Sequence, residues 1–369
     1  MTFRKYERIK EVIKQLKFNN TEKKDFSVVL KKRVAEYFEK QSIKKEGNFK
    51  LTFKSIIVFT LYFSPFILLS TGLVSSVWMV FGLYLLSGVG MVGVGMAVMH
   101  DASHGSFTAN RKWNKYLSLS LNFVGANAKI WRVQHVVLHH TYTNVMDADD
   151  DINVPYLLRL SPASKRYRIH RFQHIYAWFI YGFTTLSWIT AKDFVSFAKY
   201  KKMGLIKERT TPEIMKVIFW KLLYYSFALV LPIIFLPVSP IWVILAFVSM
   251  HFLAGLFTAV IFQLAHVVPT AEYPEPDHNG KINNNWFIHQ LQTTANFSPN
   301  SRVMSWFIGG LNYQIEHHLF PRVSHIHYKN LSKIVKETAD EFNLNYAVQT
   351  NLLRAIKGHA MQLRQLGRS

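Results

Sequence analysis

Two long tracts without any charged side chain limit what this chain can fold into. Residues 55–99 and 222–271 contain no Asp, Glu, Lys or Arg over 45 and 50 residues. A helix needs about 20 apolar residues to cross a bilayer, so each tract is long enough for a hairpin of two spans. Buried helices of a large soluble core are the alternative, which such long charge-free tracts disfavour. The expected spans are about 55–70, 77–99, 222–237 and 241–265.

The distribution of basic residues predicts the orientation of these spans. The chain has 44 Lys plus Arg against 22 Asp plus Glu, a net charge of +22. Of the 44, 16 lie in residues 1–54, 18 in residues 100–221 and 10 in residues 267–369. Because positive residues mark the cytoplasmic side, we expect both termini and the middle region to be cytoplasmic. Basic residues beside anionic headgroups explain the charge, so no nucleic-acid partner is expected.

Shorter apolar segments are expected to lie in the membrane interface. Residues 172–191 carry no formal charge, but a crossing there would place the positive C-terminal region outside. Their aromatic residues favour an interfacial helix, and residues 116–124 and 303–310 are too short to span. The fold class is therefore an all-α integral membrane protein with four spans, interfacial helices and a cytosolic histidine-rich cap. Its expected parts are basic cytosolic helices in 1–54, a membrane domain in 55–330 and a cytosolic tail in 331–369.

Histidine is the residue type that carries the candidate chemistry. The chain has no cysteine but 16 histidines. Disulfides, thiolate metal sites and cysteine nucleophiles are therefore excluded, and any metal must bind His, carboxylate or amide ligands. Imidazole suits iron, zinc and copper.

Three histidine clusters stand at the ends of the apolar tracts or between them. They read HDASH from His100, HVVLHH from His135 and QIEHH from Gln314. Two imidazoles four residues apart lie on one face of a helix, which suits a shared metal ion. With His266 at the end of the fourth span, the histidines are too many for one ion, so we expect two metals. Few carboxylates accompany them, which favours iron or zinc over a hydrolytic di-zinc site.

Other polar residues near the clusters have weaker assignments. Asp101 and Glu316 lie inside the clusters, and we expect them to hold ligating imidazoles by the second ring nitrogen. The acidic run 147–151 is at least as well explained as a solvated loop. His170 and His174 are four residues apart beside basic residues, which favours a pair that faces the headgroups.

The three clusters resemble the histidine boxes of membrane fatty acid desaturases, HxxxH, HxxxHH and QxxHH. The likeness extends to HDASHGSFTANRKWN, HHTYTN and GGLNYQIEHHLFP and covers about residues 50–330. The resemblance implies a di-iron centre at the cytosolic face, where oxygen and two electrons introduce a cis double bond into an acyl chain. A glutamine at the start of the third box is similar to front-end desaturases of delta-5 or delta-6 type, acting on acyl-CoA or acyl-lipid.

The resemblance also implies which residues bind the two iron ions. The implied ligands are the seven box histidines, His100, His104, His135, His139, His140, His317 and His318. His266 is similar to an extra histidine of the stearoyl branch, although Phe262 stands where that branch has an asparagine. Gln314 stands where other branches have a histidine, so a weak or water-mediated ligand is expected there.

The electron donor is expected to be a separate protein. No His-Pro-Gly-Gly haem motif of a fused cytochrome b5 occurs in the sequence. A ferredoxin or free cytochrome b5 is usually acidic, and a basic cytosolic face would steer it in. The absence of cysteine and of a fused electron donor favours a bacterial plasma membrane over the endoplasmic reticulum.

Two rival functions remain at this stage. A related di-iron hydroxylase shares the metal site and differs in its product. A membrane metal transporter would place polar or ionisable ligands within the spans, whereas these tracts lack Asp, Glu, Lys and Arg and the histidine clusters lie at their ends.

Overall fold

The computed structural model describes residues 11, 13–19, 24–154 and 156–369, and the expected helices before residue 11 lie outside this part of the chain. The described residues form an almost entirely helical fold. The helices, in chain order, are α1 (Lys24–Lys40), α2 (Phe49–Leu69), α3 (Val77–His104), α4 (Arg111–Ser118), α5 (Ser120–Phe123), α6 (Ala128–Arg132), α7 (Gln173–Gly182), α8 (Thr184–Ser187), α9 (Asp193–Lys202), α10 (Thr210–Phe235), α11 (Pro240–His266), α12 (Trp286–Gln292), α13 (Arg302–Phe307), α14 (Gln314–Leu319), α15 (Tyr328–Glu341) and α16 (Leu352–Leu366).

Four of these helices, α2, α3, α10 and α11, are long and apolar enough to cross a membrane. They have 21, 28, 26 and 27 residues, and many of their large apolar side chains are exposed on the outside of the bundle. Apolar surface of this extent is what a bilayer covers. The expected all-α integral membrane architecture is confirmed.

The third spanning helix begins earlier than its charge-free tract indicates. It starts at Thr210, whereas the tract predicts a start at about residue 222. Its charged residues are paired: Lys221 Nζ donates to Asp193 at 2.8 Å, and Glu213 accepts a hydrogen bond from Lys129 at 2.9 Å. Because paired charges are tolerated in a helix that packs on protein, the absence of charge marks only the later part of this helix.

The interior of the bundle depends on close helix contact between α2, α3 and α11. A Cβ on Gly90 of α3 would lie 2.4 Å from the backbone nitrogen of Tyr62, so only glycine allows this approach. The Tyr62 hydroxyl donates to the Phe123 carbonyl, and that of Tyr84 donates to the Ala228 carbonyl at 2.8 Å. Each buried hydroxyl therefore has an acceptor.

Non-α turns interrupt several helices. π-helical turns occur at Val94–Met99 within α3, Val133–His139 after α6, Trp188–Lys192 before α9 and Ser226–Val230 within α10. Short 3₁₀ turns occur at Arg168–Phe172 and His325–His327. Four two-residue strands form two parallel pairs, Lys17–Phe18 (β1) with Lys281–Ile282 (β2) and Asn296–Phe297 (β3) with Val348–Gln349 (β4). Two of the π turns lie directly beside the histidine clusters.

The C-terminal region packs on the rest of the protein. α15 contacts α1, where Arg33 forms two hydrogen bonds of 2.7 Å with the Glu341 carboxylate, and α16 contacts α7 and α11.

His170 differs from its expected headgroup-facing position, because it is 1% exposed and its Nε2 donates to the Tyr156 carbonyl at 3.0 Å. A backbone acceptor inside the fold, rather than lipid, satisfies this imidazole.

Candidate metal centre

The eight predicted histidines lie together in one buried cluster at the end of the helical bundle. They come from α3, the π turn after α6, the last residue of α11, and α14. Their nitrogen atoms lie within 4.8 Å of one another in three overlapping groups. The groups are His100, His104, His135 and His317; His139, His266 and His318; and His140, His317 and His318. Residues as far apart in sequence as 100 and 318 thus meet at a single place.

A π-helical turn arranges the second histidine cluster. The His140 amide donates to the His135 carbonyl at 3.1 Å, a bond that spans five residues instead of four. The wider turn brings His140 Nε2 to within 3.2 Å of His135 Nε2. In the α-helix expected from the sequence, His140 would instead lie about 100° around the helix axis from His139. A second π turn, Val94–Met99, directly precedes His100.

Seven of the eight imidazoles keep a buried nitrogen without any hydrogen-bond partner. These atoms are Nδ1 of His100 and His140, and Nε2 of His104, His139, His266, His317 and His318. A buried polar atom without a partner costs about 1–3 kcal/mol, so a folded protein rarely keeps several of them together. Metal ions would accept electron pairs from all of these nitrogens. The donor set therefore fits two ions bound mainly by imidazole.

Four of these histidines are held by their other nitrogen. His139 Nδ1 donates to Asp149 at 3.0 Å, and His266 Nδ1 donates to the Thr293 carbonyl at 3.3 Å. The two histidines of the third cluster are held by hydrogen bonds of 3.0 Å between His317 Nδ1 and the Tyr328 hydroxyl and 2.8 Å between His318 Nδ1 and Gln290 Oε1. Such bonds fix the tautomer and direct Nε2 towards a metal.

Asp101 and Glu316 do not have the partners that the sequence suggests. Asp101 accepts hydrogen bonds from Ser324 Oγ at 2.9 Å and His325 Nδ1 at 2.8 Å. Glu316 accepts from Asn296 and Tyr346, both at 2.8 Å. The next residue of an α-helix is rotated by about 100°, so a carboxylate adjacent to a ligating histidine points away from the metal face.

The residues that do hold the imidazoles are Asp149, Gln290 and Tyr328, which sequence analysis missed. Asp149 belongs to the acidic run 147–151 and is fully buried, whereas a solvated loop is the simpler expectation for such a run. Its position ten residues after His139 is the one available signal. Nothing in the sequence separates Asp149 from its acidic neighbours.

Gln314 is the first residue of α14 and is 1% exposed. Its amide Nε2 has no hydrogen-bond partner among the described residues. The amide thus lies three residues before His317 on the same short helix, and its role as a weak ligand stays a prediction.

Burial keeps most of the cluster in the neutral form. It lowers the pKa of His135, His140, His317 and His318 well below the usual value, and the neighbouring imidazoles add to this effect. Burial is the largest single influence on His139 and acts to lower its pKa, but the charge and hydrogen bond of Asp149 and the charge of Asp151 together outweigh it and raise that pKa. Neutral imidazole is the form that binds metals, so the site is prepared for ligation.

An apolar cavity adjoins the histidines inside the helical bundle. It is lined by His100, Trp131, Phe262 and residues of α3 that include Gly95. A larger cleft shares Trp131 and Phe262 with this lining and is also lined by polar residues, among them Lys192. The two spaces therefore adjoin each other, and the apolar one lies beside His100.

The chain is similar to known proteins over most of its length. The family model of fatty acid desaturases matches residues 76–350. The chain is 33% identical over 343 residues to the sn-1 linoleoyl-lipid 6-desaturase of Arthrospira platensis, covering 92% of each chain. It is 32% identical to the enzyme of that name from Synechocystis, covering 95% of this chain and 97% of the relative. It is 35% identical to the acyl-lipid (8-3)-desaturase of Physcomitrium patens, covering 95% and 74%.

Proposed function

Because the chain belongs to the fatty acid desaturase family, we propose that it is a front-end acyl-lipid desaturase whose histidine cluster holds two iron ions. The protein is an oxidoreductase that introduces a double bond into an acyl chain, as membership of this family shows. The use of oxygen, the iron ligands, the electron donor, the substrate carrier and the position of the new bond belong to the proposal.

The observation that carries the proposal is the set of seven unpartnered nitrogens in one buried cluster. His100, His104, His135 and His317 would hold one ion. His139, His266 and His318 would hold the other. His140 lies within ligand distance of His317 and His318, one histidine from each group, so it would join one of these two ligand sets. Gln314 would complete the set as a weak or water-mediated ligand.

Bound iron would supply the oxygen-dependent oxidation that removes two hydrogens from the acyl chain. The protein's own contribution is to bind the chain, to orient it and to exclude water. The apolar cavity beside His100 would receive the end of the chain, with Trp131 and Phe262 where cavity and cleft meet. Methylenes differ little in reactivity, so the depth of this cavity would select the bond that is oxidised.

Two features support an acyl-lipid substrate and a front-end position. The relatives named above act on linoleoyl-lipid and acyl-lipid substrates by their names. The polar lining of the cleft, with Lys192 and Asp150, would hold a polar head while the chain runs inwards. The bond nearest the carboxyl end would then lie close to the histidines.

The remaining parts of the proposal concern the surroundings of the enzyme. A separate acidic protein, a ferredoxin or cytochrome b5, would supply the two electrons. Both termini would lie in the cytoplasm, as the distribution of basic residues indicates. Two of the relatives above are from Arthrospira and Synechocystis, which supports a bacterial membrane.

The deciding experiment is analysis of the fatty acids from cells that express this chain together with an electron donor. Cells fed linoleate should produce a more unsaturated acid, and mass spectrometry of a derivative should locate its new bond nearer the carboxyl end. His139→Ala removes one proposed ligand and should abolish this product. An oxygenated product would instead favour the related hydroxylase. A new bond on the methyl side of the existing ones would contradict the front-end assignment.

A further inference from the structure

A second pocket lies beside the N-terminal end of α2 and is rich in basic side chains. It lies between α2, α13 and the segment around His325. Its basic residues are Lys50, Lys54, Arg302 and Lys329. No Asp or Glu is among the described residues that line it. A concave site with four cations and no carboxylate attracts an anion.

Lys54 is the residue that most strongly indicates a ligand. It is 3% exposed, and no carboxylate of the described part of the chain forms an ion pair with it. Because His325 Nδ1 donates to Asp101 at 2.8 Å, its Nε2 is an acceptor and takes one hydrogen bond from Lys54 Nζ at 3.0 Å. An ammonium group has three N–H donors. The other two have no hydrogen-bond partner among the described residues, and Lys54 lines the pocket, where an anion would pair with this buried cation.

The surroundings of the pocket indicate that this anion is part of a lipid. Phe49 and Phe53 on α2 and Val303 on α13 are all more than half exposed and flank the basic residues. Trp306 lies between the two kinds of surface, with Lys54 Nζ 5.4 Å from its ring centre. Tryptophan beside exposed apolar and basic side chains is typical of the membrane interface.

We propose that this pocket binds the phosphate of a membrane glycerophospholipid. The phosphate would accept hydrogen bonds from Lys54, Arg302 and Lys329, while the acyl chains lie against the exposed apolar side chains of α2. The pocket shares no lining residue with the cavity or the cleft that leads to the histidines. The bound phospholipid is therefore separate from the acyl chain that is oxidised, and its binding does not require the metal site.

The test uses the full-length protein, purified in detergent and stripped of phospholipid. Dioleoylphosphatidylglycerol should raise the melting temperature and remain bound, whereas dioleoylglycerol, which lacks the phosphate, should do neither. Inorganic phosphate and coenzyme A should not displace the lipid. Displacement by coenzyme A, or equal stabilisation by dioleoylglycerol, would overturn the proposal.

Matched double variants assign the binding to this pocket. Arg302 and Lys329 are exposed and form no side-chain hydrogen bond or ion pair with other described residues. Arg302→Ala with Lys329→Ala should therefore leave the fold intact. Each lost cation should weaken lipid binding about fivefold, since a basic residue near a phosphate surface contributes about 1 kcal/mol. Arg111→Ala with Lys112→Ala removes the same charge from α4 and should leave binding unchanged. Equal binding by both double variants would overturn the proposal.

Two further variants separate this inference from the proposed function. Lys329→Arg keeps the charge and should keep the lipid. His139→Ala should lose iron and turnover but retain phospholipid binding, because the pocket lies apart from the histidines. A loss of lipid binding in His139→Ala would show that the pocket is not an independent site.

Discussion

Two groups of buried histidines in this protein differ in one respect, the state of their ring nitrogens. His359 in α16 is fully buried, and its Nδ1 donates to the Val267 carbonyl at 2.7 Å while its Nε2 bonds the Tyr181 hydroxyl at 2.8 Å. His251 within α11 likewise contacts the hydroxyls of Tyr224 and Thr185. Seven histidines of the metal cluster, equally buried, keep a nitrogen without a protein partner. Burial therefore does not identify a ligand, whereas an unsatisfied nitrogen is informative.

One free nitrogen is still not enough. His327 Nε2 is also buried without a hydrogen-bond partner, yet His327 belongs to none of the potential ligand groups among the described residues. The cluster differs because ring nitrogens of histidines from four chain segments lie within 4.8 Å of one another. Convergence, together with a hydrogen bond that fixes the other ring nitrogen, is what separates ligands from structural histidines.

The largest effect is expected when a converging histidine is removed. His317→Ala deletes a nitrogen that belongs to two of the ligand groups. We expect it to abolish turnover and to lower bound iron, measured by product analysis and by elemental analysis of the purified protein.

The matched control is His359→Gln, which replaces an equally buried histidine with a side chain that also donates and accepts hydrogen bonds. It should keep its iron and its turnover. Similar iron loss in both variants would mean that any buried histidine supports the site indirectly, and the distinction drawn above would fail.

A smaller effect is expected when a proposed ligand remains but the hydrogen bond that holds its other ring nitrogen is weakened. Asp149→Asn replaces the charged acceptor of the His139 Nδ1 hydrogen bond, which is 3.0 Å long. Loss of such a support typically lowers metal affinity or activity about 10- to 100-fold. Iron-binding titration should show this decrease. Asp147→Asn, in the same acidic run, is the control, because Asp147 contacts none of the cluster histidines in the described structure, and it should bind iron normally.

The sequence predicts the clustered histidines better than it predicts the residues that hold them by hydrogen bonds. Charge-free tracts and histidine spacing are local patterns, so they place the spanning helices and the eight histidines. The sequence does not reveal that α10 starts at Thr210, because the charged side chains of this helix are paired with Asp193 and Lys129, which are distant in sequence. Asp149, Gln290 and Tyr328 are hidden for a related reason. Their role depends on which side chains meet after folding, and the spacing of residues does not contain that information.

The π turn after α6 shows the same limit at the level of the backbone. Its five-residue hydrogen bond from His140 to His135 sets which imidazoles lie side by side. Helical periodicity in a sequence does not distinguish this turn from an ordinary α-helical one, because the order of the residues does not show whether an amide bonds the carbonyl four or five residues before it.

A change in the apolar cavity should reduce turnover without affecting the iron. A Cβ at Gly95 would have no atom of another part of the protein within 4 Å, and this residue lines the cavity beside His100. Gly95→Leu should therefore fold and occupy space needed by the acyl chain. An overpacking cost of about 1.4 kcal/mol corresponds to about a tenfold loss of turnover with an 18-carbon substrate. A shorter chain should lose less.

The control for this cavity is Gly82→Leu on the same helix. Gly82 is exposed on the outside of the bundle, and a Cβ there would likewise have no atom of another part of the protein within 4 Å. This variant should keep full turnover with every chain length. If both leucine variants lose the same activity, the effect comes from the helix and not from the cavity.

The smallest expected effect is a pH dependence that arises from a structural histidine. Burial lowers the pKa of His359 from its usual 6.5 to about 4. Between these two values the unfolded chain binds a proton at this residue that the folded protein does not bind, so folded stability falls as the pH falls. The contribution is fully present above pH 6.5 and decreases by about 1.4 kcal/mol per pH unit below it.

His359→Gln removes this titration and leaves every other histidine in place. Both proteins are compared with iron bound, so the pH dependence that the histidine cluster adds to stability is the same in both and cancels in the difference. The stability advantage of the unaltered protein over His359→Gln should therefore shrink by about 1.4 kcal/mol between pH 7.5 and pH 5.5. Thermal unfolding at the two pH values measures this difference. A constant advantage would mean that burial does not hold His359 neutral, and that the contrast between structural histidines and ligands is less sharp than their ring nitrogens indicate.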